Sequence, residues 1–173
     1  MVLEKKNNPY LINFVSLSRG LHHFKYNIDK SFFDLFEYSP IEKGDLNLEL
    51  DFDKKEDFFQ LNFIFDGYVQ TICDRCSDEL NITIDKSFEL IVKFADTERK
   101  EEDDIVFISR DETQIDLSSF IYEYINLSLP LKKAHENIAD CNKESIKKLS
   151  ELKATAKADI DPRWEQLKAL KKD

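Results

Sequence analysis

A strict alternation of apolar and polar residues runs from residue 45 to residue 53 and constrains the fold more than any other stretch. Successive side chains of a strand point to opposite faces, so this pattern predicts a strand with one apolar face. The apolar positions are Leu46, Leu48, Leu50 and Phe52. Residues 54–57 predict a hairpin turn, and residues 58–72 predict the returning strand. The chain therefore contains an antiparallel sheet whose apolar face needs a second layer.

The remaining periodic stretches supply further strands and the covering helices. Residues 10–17 and 23–29 predict two strands before the hairpin. After it, residues 80–85 and 88–94 predict another extended run, and residues 105–108 predict one more short strand. Helical spacing predicts a short helix over 31–36, capped by Asp29, and a longer one over 117–127 before Pro130. The predicted fold class is α+β: an antiparallel β-meander, as a sheet or partly closed barrel, covered by a few short helices, with a helical C-terminal segment.

Charge divides the chain into two parts. Residues 143–173 hold nine Lys/Arg against six Asp/Glu, whereas the other 142 residues hold 16 against 29. We therefore expect a β-rich domain over 1–142 and a basic helical extension over 143–173, which includes a capped helix over 161–170. An acidic body is repelled by phosphate, so nucleic-acid contact is expected only at local basic patches or through a bound protein.

Neither a secretory signal nor a membrane span is predicted. The first twenty residues lack the pattern of a signal peptide, and no run approaches about 18 apolar residues. We expect a cytoplasmic protein without a membrane partner. Three cysteines in a reducing compartment argue against a disulfide framework and leave metal binding, redox chemistry or packing. The sequence shows no glycine-rich phosphate loop, and we predict no catalytic residue and no enzyme activity.

Cys73-Asp74-Arg75-Cys76 is the motif with the most chemical content. Such a turn supplies two of the four ligands of a tetrahedral zinc site, and His135 and Cys141 offer the other two. His22 and His23 are more distant substitutes, and Lys132, Lys133 and Glu136 are expected to be incidental neighbours. An unmetallated pair of partly buried thiols remains open. A thiol oxidoreductase is disfavoured because the first cysteine of such enzymes lies at a helix N-terminus, whereas both flanks here are extended.

The ordered motifs resemble the YceD (DUF177) family of bacteria and plastids. The matching pieces are C-D-R-C at 73–76, I-N-L-S-L-P at 125–130 followed by His135 and Cys141, and D-P-R-W at 161–164 followed by Leu167 and Leu170. The resemblance implies a non-enzymatic factor in accumulation or processing of 23S ribosomal RNA and in large-subunit biogenesis. It implies a ribosomal protein or pre-50S particle as partner and leaves direct rRNA contact open.

The chain departs from the family pattern in its second pair of metal ligands. That pair is frequently another C-x-x-C, whereas here only Cys141 remains, with His135 upstream. Four cysteine ligands are therefore excluded, and the strongest metal option is a structural zinc bound by Cys73, Cys76, His135 and Cys141. A zinc-stapled interaction module unrelated to ribosomes makes the same metal prediction and differs only in its partner.

Overall fold

The computed structural model describes residues 8–95 and 105–152. Its main element is a five-stranded sheet of strand order β2-β3-β4-β5-β6, with a separate two-stranded pair β1-β7. The elements are β1 (Leu11–Ile12), β2 (Gly20–Ile28), α1 (Lys30–Phe33), β3 (Lys43–Lys54), β4 (Phe58–Ile72), β5 (Glu79–Ala95), β6 (Ile105–Ser109), β7 (Ile115–Asp116), α2 (Ser118–Leu127) and α3 (Lys143–Leu152). Short 3-10 turns lie at Phe14–Ser16 and Ile138–Asp140. The predicted α+β class is confirmed.

Strands β3 and β4 form the centre of the sheet, as the alternation predicts. They pair antiparallel, with Leu50 opposite Phe63 and Phe52 opposite Leu61, and all four side chains are fully buried. The intervening positions point to the other, outer face, where Glu49 and its neighbours meet solvent. The apolar periodicity therefore fixes which face of the sheet receives the covering layer.

Strand β5 agrees with the sequence-based expectation, whereas the direction of β6 differs from it. The extended run predicted over 80–85 and 88–94 is confirmed as one continuous strand, with which β4 pairs along its whole length from residue 58 to residue 72. Strand β6 lies parallel to β5 rather than extending the meander. Since the described strand order begins at β2 and ends at β6, the sheet is open rather than a closed barrel.

Helix α2 covers the inner face with the buried side chains of Ile121, Tyr124 and Ile125, and its tyrosines make ring contacts. The Tyr124 ring stacks on Phe88 at a centroid distance of 4.6 Å and meets the edge of Phe63 at 5.2 Å. Tyr122 stacks on Phe36, which follows α1, at 3.9 Å. Such ring pairs contribute about 0.5–1.5 kcal/mol each beyond the area they bury. The position of α2 places the segment that follows it near the cysteines of the β4–β5 loop.

The strand predicted over 10–17 is mostly replaced by a 3-10 turn. The strand itself covers Leu11–Ile12, and Phe14–Ser16 forms the 3-10 turn. The side chain of Asn13 accepts a hydrogen bond from the Ser16 backbone N–H, and this local bond competes with strand pairing. The turn places Phe14 in the core, where its ring packs on Phe59 at 5.0 Å.

Helix α3 confirms the helical spacing of Ile146, Leu149 and Leu152. The helix predicted over 161–170 lies outside the described residues. Within the described ranges, no helix is long and apolar enough to cross a membrane.

Candidate metal centre

The first two cysteines lie in the loop that joins β4 to β5. Residues 73–78 form this loop, which is closed by a bond from the Cys73 N–H to the Asp78 carbonyl (2.8 Å) and one from the Ser77 N–H to the Cys73 carbonyl (2.9 Å). Ser77 has φ 64°, a left-handed conformation that is uncommon outside glycine. The tight turn holds Cys73 and Cys76 together at the end of the sheet.

The segment after α2 brings the other two candidate ligands to this loop. The backbone N–H of Asp74 donates to the Lys133 carbonyl at 2.6 Å, and the Lys133 N–H donates back to the Asp74 carboxylate at 2.7 Å. The expectation that Lys133 is an incidental neighbour is therefore wrong, because its main chain fastens the two segments together. Two residues later the chain presents His135.

The four predicted ligand residues meet in one Cys3His cluster, which consists of Cys73, Cys76, His135 and Cys141. Their ligand atoms all lie within 4.8 Å of one another. The His135 Nδ1 is 3.6 Å from the Cys76 Sγ and 3.7 Å from the Cys141 Sγ. Tetrahedral zinc with bonds of about 2.3 Å to sulfur and about 2.0–2.1 Å to nitrogen separates such atoms by about 3.6 Å. The donor set and its spacing fit a zinc ion.

The two substitute histidines lie elsewhere, on β2. The His23 Nδ1 is 2.6 Å from a carboxylate oxygen of Asp51, and the His22 Nε2 is 2.8 Å from the Ser18 carbonyl. Neither belongs to the Cys3His cluster. Among the described histidines, His135 is the one that joins the cysteines.

The three thiols are buried, with exposed fractions of 1% for Cys73, 3% for Cys76 and 4% for Cys141. Burial acts to raise the pKa of Cys73, but hydrogen bonds from the backbone N–H groups of His135, Arg75 and Cys76 and from the Cys76 side chain outweigh it and lower the pKa to about 6. Burial raises the pKa of Cys141, although a hydrogen bond from Arg75 acts in the opposite direction. The loop thus favours the thiolate of Cys73, the form that binds metals.

The Cys3His cluster has a small apolar surround of its own, separate from the main core. Leu80 at the start of β5, Ala134 and Ile146 of α3 pack against the three cysteines. Ile146 therefore ties α3 to the end of the sheet. A centre at this position joins three parts of the chain: the β4–β5 loop, the segment after α2, and α3.

Sequence reasoning missed the contribution of the two residues between the cysteines. Asp74 bridges to Lys133, and the Arg75 guanidinium Nη1 donates to the Cys141 Sγ at 3.5 Å. The motif itself contained a signal: its two intervening residues are both charged, and a C-x-x-C turn does not need charged residues there to bind a metal. Their partners could not be known before the fold placed residues 133 and 141 beside them.

The fold and this cluster define an α+β sheet protein that carries a buried Cys3His cluster at one end of its sheet. The family model described as "Large ribosomal RNA subunit accumulation protein YceD" matches residues 61–171, more than half of the chain. The chain therefore belongs to the YceD family, as its motifs predict. Comparisons with curated proteins and with solved structures found no match.

Family membership connects the chain with accumulation of large-subunit ribosomal RNA. The family is a ribosomal accumulation-factor family and not a known enzyme family. The matched region begins within β4 and includes all four residues of the Cys3His cluster. The cluster thus lies inside the part of the chain that defines the family.

Proposed function

We propose that the protein is a non-enzymatic factor in 23S rRNA accumulation or processing that acts by binding a basic ribosomal protein or the pre-50S particle. The observation that carries this proposal is the charge of the outer face of the sheet, the face away from α2. Its positions on β2 to β5 include three lysines (Lys25, Lys43 and Lys93) and eight carboxylates: Asp45, Glu49, Asp51, Asp53, Asp66, Glu79, Asp85 and Glu89. A surface of this sign attracts cationic partners.

Two carboxylates at the middle of the outer face are placed unfavourably. Asp66 of β4 lies directly opposite Asp85 of β5, and both side chains are exposed. Like charges in this arrangement destabilise a sheet by roughly 0.2–1 kcal/mol. On the same face, the Gln70 Oε1 is buried without a hydrogen-bond partner in the described structure. Lysine or arginine side chains of a partner would neutralise the carboxylates, and this supports binding of a basic protein.

The double variant Asp66→Asn/Asp85→Asn is expected to bind pre-50S particles more weakly and to fold more stably. Loss of two exposed ion pairs lowers affinity by roughly 2- to 30-fold, while removal of the repulsion raises the free energy of unfolding by roughly 0.2–1 kcal/mol. Co-sedimentation at low and moderate salt measures the first effect, and denaturant titration measures the second.

The control for this test is Asp111→Asn/Glu112→Asn, which removes two exposed carboxylates between β6 and β7. This variant should bind like the unaltered protein. Equal weakening by both pairs would show that only net charge matters. Failure of the unaltered protein to bind either a basic ribosomal protein or any large-subunit particle would contradict the proposal. Depletion of the protein with normal 23S rRNA and subunit profiles would contradict it as well.

We further propose that the Cys3His cluster binds one structural zinc ion. Zinc would supply the cross-link, and Cys73, Cys76, His135 and Cys141 would hold it. The proposal is supported by distances that fit a tetrahedral site and by the burial of the thiols. We also propose that residues 1–142 form the domain and that residues 143–173 form a basic extension, which contacts the cluster through Ile146. We propose the cytoplasm as the place where the protein acts.

A thiol oxidoreductase is the alternative that the lowered pKa of Cys73 favours, but the surroundings of the thiol argue against it. An attacking thiolate must be reachable, whereas Cys73 is 1% exposed and lies in a strand-to-strand loop. Membership of a ribosomal family likewise argues against an interaction module unrelated to ribosomes.

The rate of alkylation distinguishes a metal-binding Cys73 from a redox-active one. In reduced protein purified without chelator, the pKa of Cys73 of about 6 favours the thiolate at pH 7, yet we expect iodoacetamide to modify it more slowly than a free model thiol because the buried sulfur cannot be reached. Mass spectrometry of cysteine-containing peptides over time gives the rate, and the unfolded chain in denaturant serves as the control. Modification faster than the model thiol would favour redox chemistry.

A further inference from the structure

Arg75 contacts two of the three sulfur atoms of the Cys3His cluster. Its backbone N–H donates to the Cys73 Sγ at 3.4 Å. Its guanidinium Nη1 donates to the Cys141 Sγ at 3.5 Å, across 66 residues of sequence. Arg75 is itself half-buried. One residue thus joins the loop that carries Cys73 to the cysteine that arrives last in the chain.

The net charge of a zinc-bound cluster explains why an arginine would contact the Cys141 sulfur. Three thiolates and a neutral imidazole around a divalent zinc ion carry a net charge of −1. Cys141 is 4% exposed, and a buried negative charge is costly unless a partner compensates it. Arginine is always protonated and donates hydrogen bonds in a fixed geometry, so it is suited to compensate a thiolate at this depth.

We propose that Arg75 is a positioning residue of the zinc centre, whose guanidinium neutralises the Cys141 thiolate and directs its sulfur towards Cys76 and His135. This inference rests on the proposed zinc site and adds a fifth residue to it, which binds the ligand and not the metal. Partners of this kind fix the orientation of metal ligands, and their loss typically weakens metal binding about 10- to 100-fold.

The experiment compares Arg75→Gln, Arg75→Lys and Arg19→Gln. Arg19 is a matched control because it loses the same charge at an exposed ion pair with Glu56, beside the β3–β4 turn at the opposite end of the sheet. Competition with a chromophoric chelator measures zinc affinity. Substitution with Co²⁺ adds a spectroscopic signature, because the sulfur-to-cobalt charge-transfer band reports electron density on the thiolates.

We expect Arg75→Gln to weaken zinc binding about 10- to 100-fold and to move the charge-transfer band to longer wavelength, since an uncompensated thiolate is more electron-rich. Arg75→Lys keeps the positive charge without the planar fork, so it should recover part of the affinity and part of the band position. Arg19→Gln should change neither quantity. The band position also separates loss of the contact from a general loss of stability.

The outcomes distinguish this inference from the zinc proposal beneath it. Unaltered affinity and an unaltered band in Arg75→Gln, with zinc bound normally by the parent protein, would overturn the role of Arg75 and leave the zinc site intact. A parent protein that takes up neither Zn²⁺ nor Co²⁺ would overturn both. If Arg75→Gln does not fold, the Arg75→Lys variant decides: parent-like affinity and band would show that charge alone suffices and that the hydrogen-bond geometry has no role.

Discussion

Replacement of Cys141 by serine is expected to lower the zinc content of the purified protein from about one ion per chain to nearly none. Serine cannot supply a thiolate, and the remaining three residues would leave one corner of the tetrahedron open. Cys141 also ties the segment before α3 to the β4–β5 loop, since its sulfur lies 3.7 Å from the His135 Nδ1 and 3.5 Å from the Arg75 Nη1. Elemental analysis of protein purified without chelator measures the loss.

The accompanying loss of stability should be local. The cysteines pack in a small cluster apart from the main core, so residues 128–152 should lose protection from hydrogen exchange while β3 and β4 keep theirs. His135→Ala should behave like Cys141→Ser, and His23→Ala is the control, because His23 pairs with Asp51 away from the centre. A parent protein that contains no metal and melts at the same temperature with and without chelator would contradict the zinc proposal.

The sequence predicted the elements whose pattern is set locally. Period-two alternation placed Leu50 and Phe63 on the buried face, and helical spacing placed Tyr124 on the covering face, because each pattern is imposed by the element's own geometry. The four residues of the Cys3His cluster were found for a similar reason: few residue types bind zinc, and a C-x-x-C turn already contains half of a site.

Features that depend on long-range register could not be predicted in this way. The parallel direction of β6 depends on its pairing with the end of β5. The contact of Arg75 with Cys141 and that of Lys133 with Asp74 appear only when residues about sixty positions apart in sequence are brought together. The turn at Asn13 was missed because a single side-chain hydrogen bond outweighed the β propensity of its neighbours.

Replacement of Gly67 by alanine is expected to destabilise the whole sheet, with a cost of roughly 2–6 kcal/mol. Gly67 lies within β4 between two paired strands and has φ +142°, a conformation that side chains rarely adopt. An added Cβ would lie 2.2 Å from the Asp45 carbonyl oxygen and 2.9 Å from the Leu46 Cα. Both are backbone atoms of β3, so no side chain can rotate away. The cost is a large part of the 5–15 kcal/mol that typically separates folded from unfolded domains.

Gly20→Ala separates the backbone strain from the steric clash in the cost of Gly67→Ala. Gly20 also has a positive φ, +114°, but an added Cβ there meets no heavy atom within 4 Å. Its replacement should therefore cost only the backbone strain, roughly 1–3 kcal/mol, and denaturant titration of both variants gives the steric part by difference. Equal losses would show that β3 moves aside without cost. A loss at Gly67 should also reduce zinc retention, because β4 leads directly into the loop of Cys73 and Cys76, and the centre depends on that strand for its position.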